Sequence, residues 1–260
     1  MNFLENYYNN YDEEGRLLRR HGQVEYLTTM HYIDEILQGD KTKRILEVGA
    51  GTGRYSVTFA KEGYEVDAVE LVQHNLDILK SKLDGSENIR AVQGNALDLS
   101  GYGDETFDLV LLLGPMYHLY TKEDREMALK EAVRVAKSKG HICVAYCMNE
   151  CVVIQFAFAS DNIKDLVAKN MLTEEFHCLS NPEDLFAMVR VEEIFELTGD
   201  LAVERQKIIA TDGATCYMRD KVNEFDDETF DLWMKFHLAT CERMDLIGAT
   251  NHSLDILKKL

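Results

Sequence analysis

From position 43 onward, short apolar runs alternate with stretches of helical periodicity. Residues 44–48 form an apolar run that ends in glycines, and residues 54–62 carry a helical pattern closed by Gly63. Residues 65–71 read as a second strand, and residues 73–83 as a helix with Leu76, Leu79 and Leu83 on one stripe. Residues 89–93 and 107–113 supply a third and a fourth strand. A helix over 122–136, bearing Met127, Leu129, Ala132 and Val133, leads to a fifth strand over 141–147. Strands separated by helices at this spacing predict a parallel sheet with helices on both faces. The unbroken apolar run from Leu109 to Leu113 suits a central strand buried on both sides.

The flanks follow other patterns. The first forty residues read as helical, and within 23–37 Val24, Leu27, Met30, Ile33 and Leu37 share one face. Upstream, the tyrosine-rich piece from Tyr7 to Asp12 is too polar for core. Beyond Cys147 the alternation breaks, and residues 150–180 read as a helical insertion. Asn181 as N-cap with Pro182 in the first turn predicts another helix. A sixth strand follows over 202–210, an amphipathic helix over 227–244 and a last strand over 253–257. The expected organisation is one domain over 1–260. It comprises a helical N-terminal segment (1–40), a core (41–148), a helical insertion (149–200) and strands six and seven with a helix between them (201–260).

Composition narrows the function classes. A chain of 260 residues can bury a core without disulfide staples. Its 28 Lys and Arg against 46 Asp and Glu give a formal charge of −18, which repels nucleic-acid backbones and anionic membrane surfaces. Apolar residues at 46% and charged residues at 28% argue against disorder. No apolar run reaches the ~20 residues that span a bilayer, and the N-terminal stretch lacks the pattern of a secretory signal. A cytoplasmic chain is therefore expected. Its six cysteines, Cys143, Cys147, Cys151, Cys178, Cys216 and Cys241, should be reduced. They form no CxxC pair, and the acids at 224, 226, 227 and 228 are contiguous rather than convergent, so no metal site is expected. Those acids suit a solvated helix start.

The strongest chemical signal is the run Glu47-Val48-Gly49-Ala50-Gly51-Thr52-Gly53-Arg54, where strand passes through a glycine-rich turn into helix. Glycines let a backbone turn tightly and approach a ligand. The spacing is GxGxG with Arg54 where a dinucleotide site needs its third glycine, and no Gly-Lys-Ser/Thr follows. Glu70 ends the second strand, 21 residues after Gly49, where an acid can accept both hydroxyls of a ribose. Glu47 precedes the loop, where a carboxylate favours a cationic neighbour. Ribose, adenine and a positive charge without a pyrophosphate describe S-adenosylmethionine.

At this point a family resemblance becomes specific. Residues 45–54, Glu70, Gly94-Asn95-Ala96 and Phe107-Asp108-Leu109-Val110 stand in the order and spacing of class I S-adenosylmethionine-dependent methyltransferases. The resemblance covers roughly residues 40–147. It implies an α/β, doubly wound, mostly parallel seven-stranded sheet with a helical N-terminal lid and helical insertions after strands five and six. It also implies that Gly49, Ala50, Gly51, Thr52 and Gly53 pack on the methionine part of the cofactor and that Glu70 holds the ribose. Leu71 would lie against the adenine, Asn95 would face its amino group, and Ala96 would lie beside it. Aspartate is usual at position 95, but asparagine still offers an acceptor oxygen, so retuned or weaker binding is expected.

Strand four runs into Leu113-Gly114-Pro115-Met116-Tyr117-His118-Leu119, which resembles bacterial small-molecule methyltransferases. In a doubly wound sheet ligands sit beyond the carboxyl ends of the strands, so Leu113 and Gly114 should flank the cofactor. Tyr117 and His118 are the candidates for orienting the acceptor or removing its proton. If strand six is parallel to the others, Asp212 reaches the same edge, and if strand seven is antiparallel, so does His252. The piece holding Tyr11 and His21 resembles the lid that precedes the first strand in this family. The helix with Trp233, Phe236 and His237 would form the opposite wall. The expected activity is transfer of a methyl group to N, O, S or C of a small molecule by in-line displacement, in a monomer or homodimer, with S-adenosylhomocysteine as product. The alternatives are a non-catalytic module that binds S-adenosylmethionine or its product, and an NAD(P)-dependent oxidoreductase, against which Arg54 argues.

Overall fold

The computed structural model describes residues 3–260, leaving the first two residues of the N-terminal segment outside it. Three helices open the chain: α1 (Phe3–Tyr8), α2 (Glu13–Arg16) and α3 (Arg20–Leu37). The alternating core follows with β1 (Arg44–Val48), α4 (Arg54–Lys61), β2 (Glu65–Glu70), α5 (Gln73–Ser81) and β3 (Ile89–Gln93). It continues through β4 (Phe107–Leu112), a 3₁₀ turn (Pro115–His118), α6 (Lys122–Val135) and β5 (Ala136–Met148). Then come α7 (Asn149–Val152), a π-helical stretch (Val153–Ala159), α8 (Ile163–Ala168) and a two-residue strand, Met188–Val189, paired with the end of β5. The chain closes with α9 (Val191–Thr198), β6 (Val203–Ala210), a 3₁₀ turn (Gly213–Tyr217), α10 (Arg219–Asn223), α11 (Asp227–Thr240), α12 (Met244–Ile247) and β7 (His252–Lys259).

The seven long strands stand in the order 3-2-1-4-5-7-6. β7 runs antiparallel to both β5 and β6, and the other pairings are parallel. β6 therefore points the same way as β5. Its end meets the start of β7 at the carboxyl edge, where Ala210 pairs with Ser253 and Cys147 with His252. Strand order reverses between β1 and β4, so the loops after these two strands lie side by side. The apolar run of β4 explains its central place: Leu109 and Leu111 pack into one core layer, Val110 and Leu112 into the other, and none is exposed.

Several local expectations are corrected. Leu27 is exposed, because the buried face of α3 runs through Val24, Thr28, Thr29, Tyr32, Ile33 and Leu37. Met127 is exposed as well, while Ala128, Leu129, Ala132 and Val135 are buried. Leu83 lies beyond the end of α5. No helix starts at Asn181. Its side chain accepts from the Glu183 N–H at 2.9 Å but holds only a turn, and the helix begins at Val191. The 150–180 insertion is helical only to Ala168, and α11 stops at Thr240. Among the described residues no helix is long and apolar enough to cross a membrane, and all six cysteines are free thiols.

Candidate active site

The reversal of strand order forms a cleft. Gly49 has φ of 75°, and a Cβ there would stand 2.6 Å from Pro115 Cδ. Gly114 is as tightly placed, since its Cβ would meet the Gly49 carbonyl oxygen at 3.1 Å. These two glycines let the β1 and β4 loops touch and open a cavity of about 280 Å³ beside them. Glu47, Gly49, Ala50, Gly51 and Thr52 line it, together with Glu70 and Leu71. Asn95 and Ala96 close one side, and Leu113 and Gly114 another. Gly53 is the exception. It precedes α4 with φ of 84°, and a Cβ would stand 2.5 Å from Leu79 Cγ, so its lack of a side chain serves helix packing. Arg54, in the place of a third dinucleotide glycine, lays its guanidinium 4.5 Å from the Tyr26 ring centroid.

Two acids behave differently in this cleft. Glu70 accepts from the Gly51 N–H at 2.7 Å with one oxygen and from the Val72 N–H at 2.8 Å with the other. A carboxylate has about four acceptor sites, so both oxygens keep capacity for ribose hydroxyls. Glu47 is buried and accepts from the Ser56 N–H at 2.8 Å and from the Ser56 hydroxyl. Burial pushes its carboxyl up to about 8, the Ser56 bonds oppose the rise, and the Glu70 charge adds to it. With no cation beside it, burial thus favours the protonated form of Glu47 near neutral pH, and a neighbouring cation would favour the charged form. Asn95 Oδ1 accepts the Leu97 N–H at 3.0 Å, an Asx turn that already engages the oxygen expected to face adenine.

The N-terminal segment covers this cavity. Thr52 donates its hydroxyl to Glu14 at 2.7 Å, and Lys82 bridges Glu14 and the Thr52 carbonyl. Tyr8 reaches His118, with its hydroxyl 2.9 Å from Nε2. His118 Nδ1 lies 2.8 Å from the Leu185 carbonyl oxygen, which can only accept. Nδ1 therefore carries the proton, and Nε2 accepts the Tyr8 hydroxyl. Burial lowers the His118 pKa to about 4, partly offset by the Leu185 bond. Such an imidazole stays neutral at physiological pH and is a weak base. Tyr117 turns its hydroxyl back to the Leu113 carbonyl at 2.9 Å.

A second cavity of about 730 Å³ adjoins the first. Tyr8 and Tyr117 line both, forming the shared wall. The four residues expected on the acceptor side, Tyr11, His21, Asp212 and His252, all line the larger cavity. Tyr11 stacks on Tyr7 with ring centroids 4.9 Å apart, and His21 holds Asn223 Oδ1 at 2.9 Å. Trp233, Phe236 and His237 line neither cavity; the Trp233 N–H instead donates to Thr215 at 2.9 Å. Asp212 and His252 are not the turn acid and solvated imidazole that such residues commonly are. Asp212 is 6% exposed and lies 3.0 Å from His252 Nδ1. Burial would raise the Asp212 carboxyl, but bonds from His252 and Thr250 overcome it and hold the group at about 2. Burial opposes charge on His252, yet Glu25, Cys147 and Asp212 together raise its pKa well above the ordinary value.

Sequence reasoning missed Glu25 and gave Tyr8 no separate role. Glu25 Oε2 lies 3.4 Å from His252 Nδ1. Its signal was a polar row of Thr28, Thr29 and Tyr32 on the same helix, at positions that an apolar stripe should fill.

Comparison with known proteins agrees with this geometry. Residues 46–144 match the model of a methyltransferase domain. The chain carries a class I S-adenosylmethionine-dependent methyltransferase domain. Its sequence is similar to a Bacillus subtilis methyltransferase, 29% identical over 97 residues, covering 37% of this chain and 39% of that one. It is equally similar to the glycine/sarcosine N-methyltransferase of Aphanothece halophytica, 29% identical over 100 residues and covering 38% of each. The chain thus spans about two fifths of the length of these curated relatives. An S-adenosylmethionine-dependent methyltransferase of Thermotoga maritima shares the fold over 99% of both chains, with TM-score 0.56 and 20% identity. S-adenosylmethionine is the methyl donor of this family.

Proposed function

We propose that the protein transfers a methyl group from S-adenosylmethionine to a small-molecule acceptor. The observation that carries this reading is the pair of adjoining cavities that share Tyr8 and Tyr117. The smaller holds the glycine loop and Glu70 for the cofactor, and the larger receives the acceptor. Gly49, Ala50, Gly51 and Thr52 bring backbone against the methionine part, Glu70 takes the ribose, and Leu71, Asn95 and Ala96 meet the adenine. The sulfonium is already activated, so placement of the acceptor in line and exclusion of water supply much of the rate. In the transfer the acceptor atom bonds to the methyl carbon, and the breaking C–S bond leaves its electron pair on sulfur. His118 fixes the Tyr8 hydroxyl at the shared wall and acts as a positioning residue. The segment 1–40 and the insertion 149–200 serve as covers of the one domain. A concave cavity of this size and a charge of −18 favour a small molecule over nucleic acid. N-methylation by the glycine/sarcosine relative keeps amines among the acceptors to test. The free cysteines suit a reducing compartment such as the cytoplasm.

The test is incubation with methyl-labelled S-adenosylmethionine and a panel of small amines, phenols, carboxylates and thiols. Acceptor-dependent formation of S-adenosylhomocysteine and a labelled small product is expected. Tight binding of S-adenosylhomocysteine with no transfer to any member of the panel would favour a binding module instead.

A further inference from the structure

The lining of the larger cavity gathers three donor groups from distant parts of the chain. Glu25 comes from α3, Asp212 from the end of β6 and His252 from the start of β7. One ligand atom of each lies within 4.8 Å of the others. His252 Nδ1 stands 3.0 Å from Asp212 Oδ2 and 3.4 Å from Glu25 Oε2. Donors on one cation, with bonds of roughly 2.0–2.2 Å, stand about 3.0–3.5 Å apart, which is the spacing of both pairs.

The Asp212 carboxylate is held in place from behind. Its Oδ1 accepts the Thr250 hydroxyl at 2.6 Å, the Asn251 N–H at 2.9 Å and the His252 N–H at 3.1 Å. That anchoring leaves Oδ2 turned toward His252. Cys147 lies opposite His252 across the β5–β7 pairing. Partners of this kind orient metal ligands in known sites. A cation set among these atoms would contact all three at once.

We propose that Glu25, Asp212 and His252 bind a divalent first-row metal cation in the lining of the acceptor cavity. Two carboxylates and one imidazole suit zinc, manganese or iron in the divalent state. Three protein ligands leave positions open toward the cavity. There the cation takes the oxygen, nitrogen or sulfur of an acceptor and polarises it. The Tyr117 ring, 6.4 Å from the His252 ring, places this site next to the wall shared with the cofactor cavity. The role in acceptor binding rests on the methyltransferase reading above, whereas the metal site itself does not.

The test titrates chelator-stripped protein with Zn²⁺, Mn²⁺ or Co²⁺ alone, by calorimetry and, for Co²⁺, by absorbance. One equivalent is expected, with the d–d bands of oxygen and nitrogen ligation and no intense thiolate charge-transfer band. Glu25→Gln and His252→Ala should each weaken binding by about tenfold or more. Because Asp212 also braces backbone groups, Glu25→Gln is the more conservative of the informative variants. Each variant is checked for unchanged S-adenosylhomocysteine affinity, which shows that the fold and the cofactor cavity are intact. No metal uptake by wild type would overturn the proposal, as would uptake untouched by both variants or a thiolate spectrum. In those cases His252 is simply an imidazolium between two carboxylates. Loss of S-adenosylhomocysteine binding by wild type would strike the methyltransferase reading and leave the metal result standing.

Discussion

Replacing Glu47 by glutamine gives a stability effect whose size follows from burial. The Glu47 carboxyl is raised from an ordinary 4.5 to about 8 by desolvation. Between those values the folded chain holds a proton that the unfolded chain has released. Stability therefore falls as pH rises through that window, at about 1.4 kcal/mol per pH unit. The contribution is full below the unfolded pKa and lost once pH passes the folded one. Glutamine keeps an oxygen to accept from the Ser56 N–H and hydroxyl, but it does not titrate. Urea denaturation of both proteins between about pH 5.5 and about pH 7.5 isolates the effect, because every other titrating group is common to the two curves. Wild type should lose about 2–3 kcal/mol more than Glu47→Gln over that range. Parallel stability curves would refute the reasoning and show that Glu47 is ionised in the folded chain.

The same residue couples to the cofactor. S-adenosylmethionine is a cation at sulfur and its product is not, so the affinity ratio of the two should rise with pH toward 8 in wild type and stay flat in Glu47→Gln, read by calorimetry. Glu70→Ala should weaken binding of S-adenosylhomocysteine by about 1–3 kcal/mol, the cost of losing a charged hydrogen-bond partner, and unchanged affinity in a folded variant would remove the ribose role. Because His118 titrates near 4, a pH–rate profile should show no ionisation around 6.5, and Tyr8→Phe should lower kcat by about tenfold through loss of one hydrogen bond. An activity limb near 6.5 that vanishes in His118→Gln would restore His118 as a general base.

The parts legible in the sequence are those fixed by nearby residues. The β1–glycine loop–α4 unit, Glu70 and the buried β4 could be read because periodicity and glycine spacing act over a few residues. The antiparallel β7 followed from family resemblance and carried His252 to the carboxyl edge, where the end of β6 brings Asp212. What stayed hidden depends on long-range packing. Glu25 joins partners about 190 and 230 positions away, and nothing in its own helix marks the meeting beyond a polar row. The phase of α3 was misread because Leu27 looked like core, whereas Thr28 and Tyr32 hold the buried face. Glu47 stands beside the glycine loop, as its place before that loop implies, but its charge state depends on burial against α4. His118 stands out in the sequence, yet its surroundings depend on Tyr8 and Leu185, which reach it from 110 and 67 positions away on either side.

The central claim is that the cavity between the β1 and β4 loops is built for S-adenosylmethionine. Calorimetric titration of the purified protein with S-adenosylmethionine, S-adenosylhomocysteine and NADH, repeated on Glu70→Ala, tests it most directly. One site for each of the first two, weakened in the variant, and no heat from NADH are predicted. Binding of NADH alone would contradict the account and make the Gly49–Gly53 turn a dinucleotide site after all.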